Sequence, residues 1–151
     1  QVAISADARR AITANNSWMI STDIVSGQIK RKISVADEHV TALAAARDGN
    51  KIYVGYDNED IEVVDARIFH VFLTFPGSSG VSKMAISPDG QYLATGHGGT
   101  LALWQASDGN RLDTISANAT AGKITALAFN SSSSQIAIAT ESGTIKRYAV
   151  P

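Results

Sequence analysis

Side chains that could do chemistry are thinly scattered through this sequence. His39, His70 and His97 are the only histidines, and none has a partner histidine at i+2 or i+4, the spacing a metal pair uses. There is no cysteine, which removes thiolate zinc ligands and a disulfide framework. Gly96-His97-Gly98-Gly99-Thr100 has the composition of a phosphate-cradling or oxyanion loop, but both need a helix N-terminus or a nucleophile elbow beside them. Its flanks read as strands, so a glycine-rich hairpin turn is expected. Asp57-Asn58-Glu59-Asp60 resembles a fragment of a calcium loop but lacks the glycine and the closing glutamate at the required offsets, and reads as a solvated turn. The sequence therefore assigns no catalytic, cofactor-binding or metal-ligating residue, and no cofactor is expected.

Two other groupings suit recognition. Lys30-Arg31-Lys32, together with Arg9-Arg10 and Lys146-Arg147, has the makings of a local basic patch for RNA or a phosphopeptide; the plainer reading is a charged face that protects a strand edge. Phe69, Phe72, Phe75 and Pro76 make one stretch unusually apolar for an outer strand. This is the candidate partner contact, set against burial under a neighbouring loop.

Composition bounds the rest. The 151 residues are 44% hydrophobic and 18% charged, enough apolar surface for a core. Thirteen Lys and Arg face fourteen Asp and Glu, for a net charge of −1, so no overall field favours nucleic acid or an anionic membrane. The apolar runs are strand-sized, well short of the roughly 18 residues a membrane-spanning helix needs. No basic-then-apolar leader follows Gln1, so the chain is expected to be processed or a piece of something longer.

The elements that must position these residues repeat. Aligning on Ser87 puts Ser5, Ala46 and Asn130 in register, at spacings of 41, 41 and 43 residues. A period of about 40 to 45 residues carrying four short strands marks a propeller blade. In the second repeat the predicted strands are 40–46, 51–56, 60–66 and 70–75; in the third they are 81–87, 91–96, 100–105 and 111–116. Arg47-Asp48-Gly49 and Ser87-Pro88-Asp89-Gly90 carry turn chemistry between the first two strands. The corresponding Ala6-Asp7-Ala8-Arg9 and Ser131-Ser132-Ser133-Ser134 read as decayed turns. Alanines crowd the first two strands, which suits strands converging near an axis. The blades are expected at 1–34, 35–76, 77–116 and 117–151, and the last lacks its fourth strand, leaving an edge that another segment must cover.

Met84-Ala85-Ile86-Ser87-Pro88-Asp89-Gly90, Leu93-Ala94-Thr95-Gly96 and Leu101-Ala102-Leu103-Trp104, with Ile124 to Asn130 and Gly143-Thr144-Ile145 close behind, resemble the WD40 repeat family. The resemblance spans essentially the whole chain. The namesake dipeptide has drifted to Thr22-Asp23, Val64-Asp65, Trp104-Gln105 and Tyr148-Ala149. Of the family's His, Ser/Thr, Asp and Trp hydrogen-bonding set, Thr95 and Trp104 are the best-preserved members. The repeat motif implied by the resemblance thus rests on Asp23, Asp65, Ser87, Asp89, Gly90, Thr95 and Trp104.

The resemblance implies an all-β fold, a β-propeller of four consecutive four-stranded antiparallel blades. In such rings the N-terminal strand usually completes the last blade, so these are expected to be the final four of a larger ring, commonly seven. A closed four-blade ring and pairing with a second chain stay open. The implied function is a non-catalytic scaffold binding other proteins in a multi-subunit intracellular assembly, cytoplasmic or nuclear, with ribosome biogenesis as one such setting. Its top-face loops would be 36–39, 77–80 and 117–123. Direct nucleic-acid binding is disfavoured and no membrane contact is expected. The alternatives are a ligand- or effector-sensing propeller domain of a signalling protein, or a propeller enzyme. Catalysis at the channel would need reactive side chains on the first strand of each blade, where the sequence offers Ala, Val, Leu, Met, Thr and Lys83.

Overall fold

A computed structural model describes residues 1–5, 8–35, 39–47, 49–58, 60–76, 80–116 and 122–151. Its chain forms two compact units, Gln1–Gly80 and Val81–Pro151, and all its regular elements are strands. In the first unit, β1 (Val2–Ile4), β2 (Arg10–Ala14), β3 (Trp18–Asp23) and β4 (Ile29–Ser34) form one antiparallel sheet in chain order. A second follows from β5 (Val40–Ala45), β6 (Lys51–Tyr56), β7 (Ile61–Asp65) and β8 (His70–Phe75). The second unit holds β9 (Lys83–Ile86), β10 (Tyr92–His97), β11 (Thr100–Gln105) and β12 (Arg111–Ser116), then a three-stranded sheet of β13 (Ile124–Phe129), β14 (Gln135–Thr140) and β15 (Ile145–Ala149).

These residues form strands because they are rich in β-branched and aromatic side chains, and the middle strands of the second and third sheets are buried on both faces. Ile52, Tyr53 and Val54 on β6, like Leu101 to Trp104 on β11, are enclosed in unbroken runs. The final strand of each complete sheet is instead largely exposed. Within each unit the first strands of the two sheets lie against each other, β1 on β5 and β9 on β13. Small side chains allow that approach. A Cβ added at Gly96 would meet Ile124 Cγ2 at 3.2 Å and Leu127 Cδ2 at 3.3 Å, so β10 comes close to β13 only because that position is bare. The first unit's core gathers Ile12, Met19, Leu43, Ile52 and Val54, and the second unit's gathers Leu101, Leu103, Ile124, Ile136 and Ile138. Burying each such side chain stabilises the fold by about 1.5–3 kcal/mol.

The four turns between first and second strands are the same object. At Ser5, Ala46, Ser87 and Asn130 the amide donates to the carbonyl five residues on, and the carbonyl accepts from the amide three residues on, at 2.8 to 3.1 Å throughout. The residue three on takes positive φ in every case: Ala8 (54°), Gly49 (65°), Gly90 (75°) and Ser133 (61°). The two turns that read as decayed therefore keep their geometry. They adopt the left-handed region without glycine, because the backbone hydrogen bonds that close the turn do not depend on the side chain at that position. The turns after the third strand repeat too: Gly27, Phe69 and Gly109 each donate an amide four residues back, to Asp23, Asp65 and Gln105, again with positive φ. Each complete sheet also bulges once between its third and fourth strands, at Ser21/Thr22, Val63/Val64 and Leu103/Trp104.

Candidate functional site

The structure separates the phenylalanines. Phe75 is fully enclosed and Phe69 nearly so, with Phe69 packed in the first unit's core. Phe72, in the middle of edge strand β8, is 48% exposed. Val71 beside it is exposed as well, as is Ile68 in the preceding turn, so this strand and its approach present apolar surface where an edge normally presents charge. The Lys51 ammonium lies 5.4 Å from the Phe72 ring centroid, close enough for a cation–π contact on an otherwise open ring.

The basic triplet on β4 is divided. Lys32 folds its ammonium over the Trp18 ring, 3.9 Å from the centroid, and so covers an aromatic face rather than projecting freely. Lys30 donates to Gln28 Oε1 at 3.1 Å and lines a cleft of about 390 Å³ together with Arg9, Arg10, Asp23 and Arg67. Arg31 is exposed. Antiparallel connectivity explains the cleft: the turn after the first strand and the turn after the third lie at the same end of a sheet. The cleft collects those turns from both sheets of the first unit. Arg10 is held there by its guanidinium, which donates to the Gly49 carbonyl at 3.2 Å. Arg67 is held by Asp65, with Nε on Oδ1 at 3.1 Å and Nη2 on Oδ2 at 2.7 Å.

The aspartates of the degraded dipeptide organise these turns. Asp23 Oδ1 accepts from the Ser26 amide at 2.8 Å and the Ser26 hydroxyl at 2.9 Å, which lowers its pKa, with Lys30 adding a smaller pull. The Asp65 carboxyl is held well below the usual carboxylate range by the Arg67 side chain and amide. Ser87, Asp89 and Gly90 build the turn between β9 and β10: the Ser87 hydroxyl donates to Asp89 Oδ1 and accepts from the Tyr92 amide at 2.9 Å. Asp89 Oδ1 also accepts from the Gln91 amide at 3.0 Å. Ser5 and Asn130 do the same work, accepting at 3.0 Å from the Arg10 and Gln135 amides.

Thr95 and Trp104 are joined, and a residue the sequence left in a turn joins them. Trp104 Nε1 donates to Thr95 Oγ1 at 2.9 Å, and Thr95 Oγ1 lies 2.7 Å from His97 Nε2, all three side chains being buried. The hairpin itself is present: β10 runs through His97 and a two-residue loop, Gly98-Gly99, leads into β11. The signal for His97 was its spacing, since i and i+2 share one face of a strand. His39 instead sits at the surface with its Nδ1 3.6 Å from Asp57 Oδ2. In the acidic turn, Asp60 donates its amide to Asn58 Oδ1 at 3.3 Å, while Glu59 lies outside the described residues. Most of the predicted top-face loops, residues 36–38, 77–79 and 117–121, lie outside them as well. Among the described residues, no three His, Asp or Glu side chains gather as metal ligands would.

The family model for the WD domain, G-beta repeat, matches residues 70–105 and again 109–148, together just over half of the chain. The chain belongs to the WD40-repeat family. Each match begins on the edge strand of one sheet and runs through three strands of the next, β8 to β11 and then β12 to β15. Repeats of this family generally mediate protein–protein interaction. A search of curated proteins returned no match.

Proposed function

We propose that this WD40 chain is a non-catalytic scaffold that binds other proteins through the exposed side of its edge strands, with Phe72 as an anchoring contact. The observation that carries the reading is the apolar exposure on and just before β8, where Val71 and Phe72 on the strand and Ile68 in the preceding turn are exposed while Phe75 at the strand's far end is enclosed. Aromatic side chains on a polar-rimmed surface are the commonest anchors of protein interfaces. In the same reading the sheets at 1–34, 35–76, 77–116 and 117–151 are consecutive propeller blades of a larger ring. The last, three-stranded sheet takes its missing strand from elsewhere in the parent chain or from another chain. In this reading the scaffold works in an intracellular multi-subunit assembly, such as one acting in ribosome biogenesis.

The test uses the full chain and its Phe72→Asp variant in quantitative affinity capture, with thermal melting and near-ultraviolet circular dichroism as the fold control. The reading expects the variant to fold like the parent and to lose stoichiometric protein partners. Capture unchanged by Phe72→Asp in a folded variant would remove Phe72 from the interface. Recovery of a turned-over small molecule with no protein partner would defeat the scaffold reading altogether.

A further inference from the structure

The open edge of β8 carries an inference that rests on the reading of this strand as a contact surface and names one occupant of it. We propose that β8 pairs antiparallel with β8 of a second copy of the chain, about a two-fold axis at Thr74. β8 ends the order β5-β6-β7-β8, so one side of it has no strand to bond. Alternation along β7 shows which groups face that side. The Tyr56 amide donates to the Asp60 carbonyl at 3.1 Å and the Ala66 amide to the Asn50 carbonyl at 2.8 Å, so the even-numbered residues of β7 bond to β6 and the odd-numbered ones to β8. Ile61 and Val63 therefore take Phe75 and Leu73 as bonding partners. Thr74, between those two, directs both its amide and its carbonyl to the open side, and its side chain is exposed.

The three complete sheets show how this chain treats such an edge. Their registers align Thr74 with Lys32 on β4 and Thr114 on β12, and Leu73 with Arg31 and Asp113. In an antiparallel pair with its two-fold at this position, the first residue faces its own copy, and the second lies diagonally from its own copy at about 7–8 Å. β4 would set Lys32 against Lys32 and Arg31 near Arg31, and β12 would bring Asp113 near Asp113, so like charges protect both edges. β8 has Thr74 at the axis with Leu73 and Phe75 on either side, and no charge stands against pairing. The same register lays Phe72, 48% exposed, opposite Pro76 of the second copy, which is exposed as well, so the pair covers apolar surface on both strands. The Lys51 ammonium beside Phe72 does not oppose it. The two Phe72 positions are four residues apart along the pair, about 13 Å, beyond the roughly 8 Å reach of exposed charges at physiological salt. The bulge at Val63/Val64 and the missing amide of Pro76 bound the ladder on either side, so the pair is short and its affinity modest. A two-fold contact needs one patch that complements itself, and β8 meets that condition where β4 and β12 do not.

The experiment measures self-association of the full chain by sedimentation equilibrium over a concentration series, with amide hydrogen exchange read residue by residue. A concentration-dependent dimer is expected, and the Thr74 amide should exchange more slowly as the dimer fills. Thr74→Lys and Thr74→Glu should each weaken dimerisation about tenfold, because each sets like charges face to face. An equimolar mixture of the two variants should restore it as a mixed dimer. Thr74 is exposed, so both variants keep the fold, and Thr114→Lys, the same change on β12, should leave dimerisation as it was. A chain that stays monomeric at every concentration, or a dimer whose Thr74 amide stays unprotected, would overturn the proposal. So would Lys and Glu variants that do not rescue each other. A monomeric chain that still captures protein partners through Phe72 overturns the self-pairing and leaves the scaffold reading standing, whereas a Thr74-paired dimer that captures no other protein upholds the pairing and defeats that reading.

Discussion

Trp104 and Thr95 are joined side chain to side chain across β10 and β11, the indole N–H on the threonine hydroxyl at 2.9 Å, with both residues enclosed. They are not direct cross-strand partners. Leu93 faces Trp104 and Ala102 faces Thr95, so the bond runs diagonally and ties two rungs of the ladder together. His97, two residues beyond Thr95, extends the chain of polar groups through the same hydroxyl. Replacing Thr95 with Val keeps the shape of the side chain and leaves both the indole N–H and His97 without that oxygen. Burying a polar group without its partner costs about 1–3 kcal/mol, and a loss of that size is expected from urea denaturation of Thr95→Val. Thr95→Ser should retain most of the stability, since it keeps the oxygen and loses one methyl group.

The recurring turns give a paired prediction. Ala8 and Ser133 hold positive φ without glycine, which costs a non-glycine residue about 1 kcal/mol. Ala8 is exposed, so Ala8→Gly should raise stability by several tenths to about 1 kcal/mol. Ser133 is buried, and its hydroxyl accepts from the Asp89 amide at 3.1 Å, linking the third and fourth sheets. Ser133→Gly relieves the backbone but removes that bond, so little net change is expected in the melting midpoint. Gly90→Ala is the converse. A Cβ there would meet nothing within 4 Å, so its expected loss of about 1 kcal/mol comes from φ alone.

Those turns show where a sequence speaks and where it is silent. Strand limits on the second and third repeats were legible to within two residues, because apolar runs between turn clusters are a direct record of burial on both faces. Turn identity at Ala6 to Arg9 and Ser131 to Ser134 was not, because glycine was the visible sign while the closing hydrogen bonds belong to the backbone. The enclosure of Phe69 follows from the same substitution: it sits where Gly27 and Gly109 sit and trades backbone strain for core packing. His97 was hidden by its glycine neighbours, although its spacing from Thr95 placed the two on one face. Arg67 joins the cleft through tertiary packing alone, since only the packing of the second sheet against the first brings its turn beside Arg9 and Arg10.

Ser21 is fully buried on β3, and among the described residues its hydroxyl is the buried side-chain polar atom without a hydrogen-bond partner. The bulge that follows it marks the corresponding positions in the next two sheets as Val63 and Leu103, both buried and apolar. The site therefore accepts hydrocarbon, and the hydroxyl there is a desolvation cost without return. Ser21→Ala should stabilise the chain by about 1 kcal/mol, measured as a higher urea midpoint at unchanged slope. A loss of stability would mean that the hydroxyl has a partner.

Acid should act on the turn between β9 and β10 through Asp89. Its pKa is lowered first by the hydrogen bond from the Ser87 hydroxyl, with the Gln91 amide and the Ser133 hydroxyl adding to the effect and partial burial opposing it. A carboxyl whose pKa is lower in the folded chain than the ordinary 3.8 stabilises the fold at every pH above that ordinary value. That contribution disappears as pH falls through the lower, folded value. Asp89→Asn keeps an acceptor oxygen for the turn but cannot ionise. The gap in stability between parent and variant should therefore stay constant from neutral pH down to about pH 5 and close below about pH 4. Asp23 and Asp65 are lowered in the same direction, and since they titrate identically in both proteins, the difference between the two pH profiles isolates Asp89. A gap that persists to pH 2 would show that the Ser87 hydroxyl holds the turn without help from the charge.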